Sequence, residues 1–511
     1  MSGTTATVSP AAPEERTFDT RYATRVMLIL AGLVTIVLYV EGMLTPSLPT
    51  IAIEFGVSPG EASLILSSYI ITGVALSPIV GKLGDIYGKK RMLGIVLIIY
   101  TICVSVTGFS PSFEFMVIAR AFQGIGLTVF PLGISLVREE FPRSMVPRAQ
   151  GILSAMFGAG FALSLPLGAW VSNAYGWRTT YHTAIPFVLV LAILVFLVVR
   201  ESEYRRPDTR IDFVGATLLG SVLGLLVLAL SMGSTWGWTS PGVLTLVVAG
   251  VVLIVPLVLF ERWYERRGGE GILDVRMLRT RNVLVTNLVG LVSGMGMYLA
   301  LLSMTFLFQM PSPIGYGLNI AGAGDALVPL AVGMLIFSPI AGTFVSRVGA
   351  KPLTALGAAV SAAGFALAIP TQSLVSLLVV EFVIGAGIAI LNAAIINLLI
   401  LTVAPRDMGL ATSMNSVFRN VGSSVGAPIS GALLATWVTL SAIGPIPSTL
   451  AFQWSFGIAV IAFGLAGVIV LFGDEVLGPR ATTYHAVADR DTVKRAVVEP
   501  NPLSSPEARR S

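Results

Sequence analysis

Cysteine is all but absent from this chain: Cys103 is the one thiol in 511 residues. An intrachain disulfide is therefore excluded, and a metal site built on one thiolate has little to stand on. Cys103 lies inside an apolar run and reads as a small buried side chain. Charge is scarce as well. Lys, Arg, Asp and Glu make up 12% of the residues, about half the share of an ordinary soluble domain. No Gly-x-x-x-x-Gly-Lys-(Ser/Thr) pattern occurs, so this chain carries no ATPase motif of that kind. No metal-ligand or cofactor pattern is found.

What fills the chain instead is apolar surface. Hydrophobic residues reach 55% and the mean hydropathy is +0.85. Many apolar runs exceed the roughly 18 residues that mark a membrane helix. They are continuous rather than alternating, which excludes a transmembrane barrel. In lipid every backbone polar group must be satisfied internally, so helices remain. The pattern predicts an all-α polytopic membrane protein with about fourteen spans. The first apolar run, from Val26, is too long for a signal-peptide core and reads as a span.

The bases fix the orientation. Of 32 Lys and Arg, Arg120 and Arg419 fall inside spans and Arg178 in a loop on one side; the other 29 (32 − 3) fall on the opposite side or in the tails. By the positive-inside rule that side, with both termini, is cytoplasmic. The net charge of +5 is then a topology signal, and nucleic acid is excluded as a partner. The partners implied are a lipid bilayer and a cell-membrane location.

Two features organise the runs. At Ser77–Leu93 an apolar run stops at Gly81, a loop carries Asp85 among Lys82, Lys89, Lys90 and Arg91, and a second run starts at Met92. The second feature is a repeat. Ser77-Pro78-Ile79 and Gly81 recur as Ser338-Pro339-Ile340 and Gly342, 261 positions on (338 − 77). Gly88 and Lys90 recur as Gly349 and Lys351, and Gly124 and Gly126 as Gly385 and Gly387, at the same offset (385 − 124). The reading is a cytoplasmic tail at 1–25, a six-helix bundle at 26–200, an inserted helix pair with linkers at 201–280, a second bundle at 281–473, and a polar, disordered cytoplasmic tail at 474–511. Two parallel halves with a site between them near the midplane are a transporter plan.

The loop resembles the signature of the major facilitator superfamily, Gly-x-x-x-Asp-x-x-Gly-(Arg/Lys)-(Arg/Lys). Gly81, Asp85, Gly88, Lys89 and Lys90 match it position by position. The inserted pair, with Ile211-Asp212-Phe213 before it and Trp236-Gly237-Trp238 in its turn, is similar to the superfamily's fourteen-span drug:proton antiporters. The resemblance implies two pseudo-symmetric six-helix bundles. It also implies that Gly81, Asp85, Gly88, Lys89, Lys90 and Arg91 form a latch between the halves on the cytoplasmic side. Asp85 would hold Arg91 or a facing helix N-terminus, and Gly81 would permit close approach. The competing reading is a plain basic turn.

Inside the membrane, polar residues are costly and mark function by default. Glu41, between Val40 and Gly42, is a candidate proton carrier or substrate ligand; the competing reading is a structural hydrogen bond. Arg120 never gives up its proton and needs a partner. With Gln123 and Gly124 it is similar to the superfamily's second motif, which makes it part of the proton-transfer machinery; an interhelical structural pair is the alternative. Glu381 is its repeat-mate (381 − 120 = 261) and a candidate cavity residue. Asn392, Asn397, Asn415 and Arg419 are polar and intramembrane; for the asparagines, interhelical bonding is the plainer reading. Asp325 reads as a solvated helix-start acid and His182 as an interfacial residue. A helix-bending motif is expected at Gly160, Ser164, Pro166 and Gly168, repeated at Gly426, Pro428 and Gly431, where small residues allow tight packing. Phe157, Met295, Met297 and Phe306 are candidates for a greasy cavity, or ordinary packing residues.

The function expected is proton-coupled export of amphipathic small molecules by alternating access. The alternatives are the same fold moving one metabolite or lipid in either direction, and a non-transporting membrane receptor or scaffold.

Overall fold

The computed structural model describes residues 20–142, 145–201, 211–269, 271–272, 275–369, 373–403, 408–441 and 444–475. Most of the two expected tails, parts of the connections at 202–210 and 404–407, and the Phe157 side chain lie outside them. The described chain is helical apart from one short hairpin. The helices are α1 (Thr20–Phe55), α2 (Pro59–Tyr87), α3 (Lys89–Thr107), α4 (Phe113–Glu140), α5 (Val146–Tyr175), α6 (Trp177–Val198), α7 (Phe213–Trp236), α8 (Pro241–Arg266), α9 (Arg281–Gln309), α10 (Ile320–Val345), α11 (Ala350–Ala368), α12 (Leu374–Leu399), α13 (Met408–Thr436) and α14 (Thr449–Leu471). Antiparallel strands β1 (Val438–Ser441) and β2 (Gly444–Pro447) join α13 to α14.

Among the described residues, 12 helices are long and apolar enough to cross a membrane: all of these except α5 and α13. Those two run for 30 and 29 residues. In α13 the apolar run is interrupted by Asn415, Arg419, Asn420, Ser423 and Ser424. Three of these, Arg419, Asn420 and Ser423, line the cavity described below.

Glycines let backbones touch at matching places in both halves. A Cβ on Gly124 would collide with the Tyr69 carbonyl, and one on Gly385 with the Leu330 carbonyl. Those carbonyls are themselves 261 positions apart (330 − 69). Gly160 and Gly168 of α5 lie against the backbone of α1 at Thr35 and Met43; Gly422 and Gly426 of α13 lie against α9 at Leu291 and Met295. So the small residues of the expected bending motif bring α5 onto α1 and α13 onto α9. Pro166 and Pro428 sit inside their helices.

The two ends of the molecule differ. At the end away from the basic loops the halves meet. Gly324 of α10 presses on Leu165 and Ala169 of α5, and Gly431 of α13 on Pro59. Gln309 donates to the Pro46 carbonyl at 2.7 Å, and Trp170 to Asp325 at 2.8 Å. At the basic end Gly81 and Gly342 face open space. The α7 helix lies along the α2 and α13 side of the seam. There Ser231 meets Ser63 at 3.2 Å, and Trp238 donates to Thr436 at 3.4 Å.

Candidate functional site

The site starts at a break in α1. The helix runs regularly to Gly42, then tightens into a single turn at Thr45–Ser47 around Pro46 before resuming at Leu48. Carbonyls at such a helix end lose their intrahelical partners. Arg120, with no exposed surface, supplies new ones. Its guanidinium donates to the carbonyls of Val40 at 3.3 Å and Glu41 at 3.2 Å. It also donates to the Ile65 carbonyl at 3.1 Å and to the Gln123 side chain at 2.9 Å. The cation stands 4.7 Å from the Tyr69 ring centre. Arg120 therefore ties α4 to α1 and α2 by backbone bonds. It holds the main chain of Glu41, not its carboxylate, and it does not line the cavity; the partners it needs are backbone carbonyls and the Gln123 side chain.

The Glu41 carboxylate points the other way. Its Oε1 accepts a 2.7 Å hydrogen bond from the Tyr298 hydroxyl of α9, in the other half. Its Oε2 is buried with no hydrogen-bond partner among the described residues. Both residues line a cavity of about 490 Å³ between the halves. Leu38, Ile70, Leu127 and Phe161 form one wall; Met297, Met334, Leu335 and Pro339 form much of the other. Polar groups are few: Asn392, Arg419, Asn420, Ser293, Ser338 and Ser423 beside the Glu41–Tyr298 pair. Arg419 has Glu41 and Tyr298 within electrostatic range. An apolar enclosure with a few convergent polar groups is the usual form of a small-molecule site.

Of the intramembrane residues expected to act together, the structure brings Glu41, Asn392 and Arg419 to this cavity. Gln123 serves Arg120 instead. Glu381 does not line the cavity: it is wholly buried in the second half, and neither carboxylate oxygen has a hydrogen-bond partner among the described residues. Asn397 bonds within its own helix, to the Ala393 carbonyl at 2.8 Å. Asn415 makes an interhelical bond to the Thr286 carbonyl at 2.8 Å. Asp325, expected to be solvated, is exposed and also accepts from Trp170 across the seam. Met297 lines the cavity, Phe306 is core, and Met295 packs against that core. His182 lies 4.7 Å from Phe109, ring centre to ring centre. Tyr298 was not anticipated; a lone tyrosine in an apolar run has no spacing signal. Asn420 and Ser423 follow Arg419 at one and four positions, a polar helical face readable in hindsight.

The basic loop also differs from expectation. Asp85 pairs with Lys89 at 2.8 Å, not with Arg91. Lys89, almost fully buried, also pairs with Glu139 of α4. The physical reason is proximity: Lys89 lies four positions on, at the first turn of α3. Gly88 adopts φ 107°, open to glycine and poor for other residues. A Cβ there would collide with the Glu201 carboxylate, which accepts from the backbone N–H groups of Lys90 and Arg91, both at 3.0 Å. The second half repeats the device. Gly349 has φ 102°, and Glu475 accepts from the N–H groups of Ala350 at 3.2 Å and Lys351 at 2.9 Å. All these contacts lie within one half or the other.

The major facilitator superfamily pattern matches residues 30–330 and 310–503. The chain is 29% identical over 408 residues to an uncharacterized transporter of that type from Mycobacterium tuberculosis, covering 78% of this chain and 57% of that protein. It therefore spans little more than half of that relative's length. It is 26% identical over 378 residues to the multidrug transporter protein MdtP of Bacillus subtilis, covering 72% of this chain and 68% of that one. Among solved structures, a bacterial homolog of the human lysosomal transporter Spinster, inward-facing and occupied, overlays with a TM-score of 0.61 at 14% identity, over 95% of this chain and all of that one. Loop signature, paired halves, central cavity and family pattern agree: the chain belongs to the major facilitator superfamily.

Proposed function

We propose that this protein is a proton-coupled secondary transporter that exports amphipathic compounds by alternating access. The observation that carries the reading is the apolar cavity between the halves with one carboxylate, Glu41, inside it. A substrate and a proton can compete for such a group, which is the minimal requirement for exchange. Similarity to a multidrug transporter supports the substrate class. In this reading α5 and α13 join the 12 apolar helices as spans, giving fourteen, with α7 and α8 as the inserted pair. The basic end is cytoplasmic, so the state described is open to the cytoplasm and closed outside. Glu381 is a second, sequestered acid of the coupling machinery, and Asp85, with its neighbours, latches the halves in the opposite state.

The test is flux in proteoliposomes with an imposed pH gradient. Wild type should accumulate an amphipathic dye against its gradient, and Glu41→Gln should not. Full gradient-driven flux through Glu41→Gln would overturn the reading. A second reading, transport of one physiological metabolite, is favoured by the cluster Arg419, Asn392, Asn420 and Ser423, which offers directional contacts that a purely greasy site would lack. Counterflow with candidate solutes separates the two.

A further inference from the structure

A proton-coupled exchanger needs a rule that stops the empty carrier from changing sides. From the cross-bundle hydrogen bond between Tyr298 and Glu41 we infer that Tyr298 enforces that rule; the inference rests on the exchange reading above. Three side-chain hydrogen bonds cross between the halves among the bonds described: Gln309 to the Pro46 carbonyl, Trp170 to Asp325, and Tyr298 to Glu41. The first involves no group that titrates. The second joins two exposed side chains at the closed end. The third is buried inside the cavity, and one proton changes its strength. A phenol donating to a carboxylate makes a charge-assisted bond, roughly twice as strong as one between neutral groups.

The groups facing Glu41 bear this out. From its own half come Tyr69 of α2, Tyr100 of α3 and Arg120 of α4. From the other half come Tyr298 of α9 and Arg419 of α13. Arg120 is engaged by main-chain carbonyls. The hydroxyls of Tyr69 and Tyr100 bond to nothing described. Tyr298 alone both bonds the carboxylate and belongs to the opposite half.

The consequence is a lock with two keys. While Glu41 is ionised and the cavity empty, the Tyr298 bond helps hold the closed end shut, so the carrier stays open at the basic end. A substrate that offers Glu41 a positive charge or a hydrogen-bond donor displaces the tyrosine hydroxyl and frees the halves to rock. A proton on Glu41 weakens the same bond and permits the return. The carrier that holds neither is held back. The substrate class follows: amphiphiles carrying a cation or a strong donor.

The experiment compares wild type, Tyr298→Phe and Gln309→Leu in proteoliposomes, with ethidium as the substrate probe. Wild type should take up protons down a pH gradient only when ethidium is present to exchange. Tyr298→Phe, nearly the same shape, should still bind ethidium but admit protons without it. The substrate-free proton flux should rise on the order of tenfold or more, the factor expected for losing a charge-assisted bond. Gln309→Leu removes a crossing bond that does not sense protons, and should slow exchange without leak. Tight coupling in Tyr298→Phe, or loss of exchange without leak in a folded variant, overturns the inference alone. Absence of pH-driven exchange in wild type overturns it together with the exchange reading.

Discussion

The interiors of the two bundles are built on one scaffold and filled with different chemistry. In the first bundle Arg120 is buried and satisfied by four hydrogen bonds. Tyr69, Tyr100 and Tyr181 surround it, all without exposed surface. At the positions 261 further on, the second bundle has Glu381, Leu330 and Ser361 (381 − 120, 330 − 69, 361 − 100). Between α6 and α14 the offset is 274, as for Glu201 and Glu475 (475 − 201), which puts Ser455 opposite Tyr181 (455 − 181). Ser361 and Ser455 each bond a carbonyl of their own helix at 2.9 Å. Glu381 bonds nothing described. The glycines that set backbone spacing are kept in both halves, while the polar positions have parted. One bundle holds a charge in a web of partners; the other packs around a lone carboxyl.

The sharpest way to break that comparison is to make the same change at both mates. Arg120→Leu strips partners from the carbonyls of Val40 and Glu41 at the helix break, each buried group costing about 1–3 kcal/mol when unsatisfied. Thermal unfolding in detergent should show a large fall in midpoint, with transport lost. Glu381→Leu removes a group with no hydrogen-bond partner among the described residues, and a buried polar group without a hydrogen bond is costly to keep. Its midpoint should hold or rise. A fall for Glu381→Leu as large as that for Arg120→Leu would mean the two interiors are equally dependent on their charges.

The next contrast is between the ends of the seam. Gly324→Val and Gly431→Val place side chains where backbones of the two halves already touch. They should force that end open, by overpacking penalties of about 1–3 kcal/mol, and shift the population toward the opposite state. Cysteine accessibility of a reporter at Ser47 on a Cys103→Ala background should rise. Gly81→Val and Gly342→Val face open space in this state. They should leave its stability unchanged and instead penalise the state in which the basic end closes.

Much of this architecture was legible because lipid permits so few solutions. Long apolar runs, basic loops on one side and a repeat at a fixed offset left little but a two-bundle helical protein. The loop at Gly81–Arg91 and the intramembrane Glu41 and Arg419 were readable for the same reason: polar groups are rare there. What was not legible was pairing. Arg120 was bound to need a partner, yet the break at Pro46 freed two carbonyls that no residue pattern announces. For Asp85 the sequence offered Arg91 or a facing helix N-terminus, while Lys89, four positions on, was nearer. Tyr298 was missed because its importance lies in facing Glu41, and a contact between α1 and α9 has no local signature. Glu381 shared the register of Arg120 but not its surroundings, so symmetry of sequence did not carry over to role.

A smaller effect is expected at the basic loop. Asp85→Asn leaves Lys89 paired with Glu139, so stability should fall by no more than about 1 kcal/mol. Insertion should be normal. Transport should nonetheless drop if, as proposed, Asp85 and its neighbours latch the halves when the basic end closes. Unchanged transport would reduce the loop to a plain basic turn.

The smallest contrast, and the closest between halves, is the pair of carboxylate caps. Glu201 and Glu475 each follow the last helix of their bundle and each accept two N–H bonds at the start of a helix, α3 and α11. A carboxylate there satisfies orphan donors and meets the positive end of the helix dipole. Glu201→Gln and Glu475→Gln keep the shape and remove the charge, so each should cost about 0.3–1 kcal/mol at low salt. The cost should shrink as salt is raised. The donors differ by one position, the second and third residues after Gly88 and the first and second after Gly349. Each cap nonetheless accepts two N–H bonds, so the two losses should be similar and the double variant should show their simple sum, since separate sites of this kind are additive. A double variant much worse than that would mean that the two caps communicate and that the halves are coupled at the basic end.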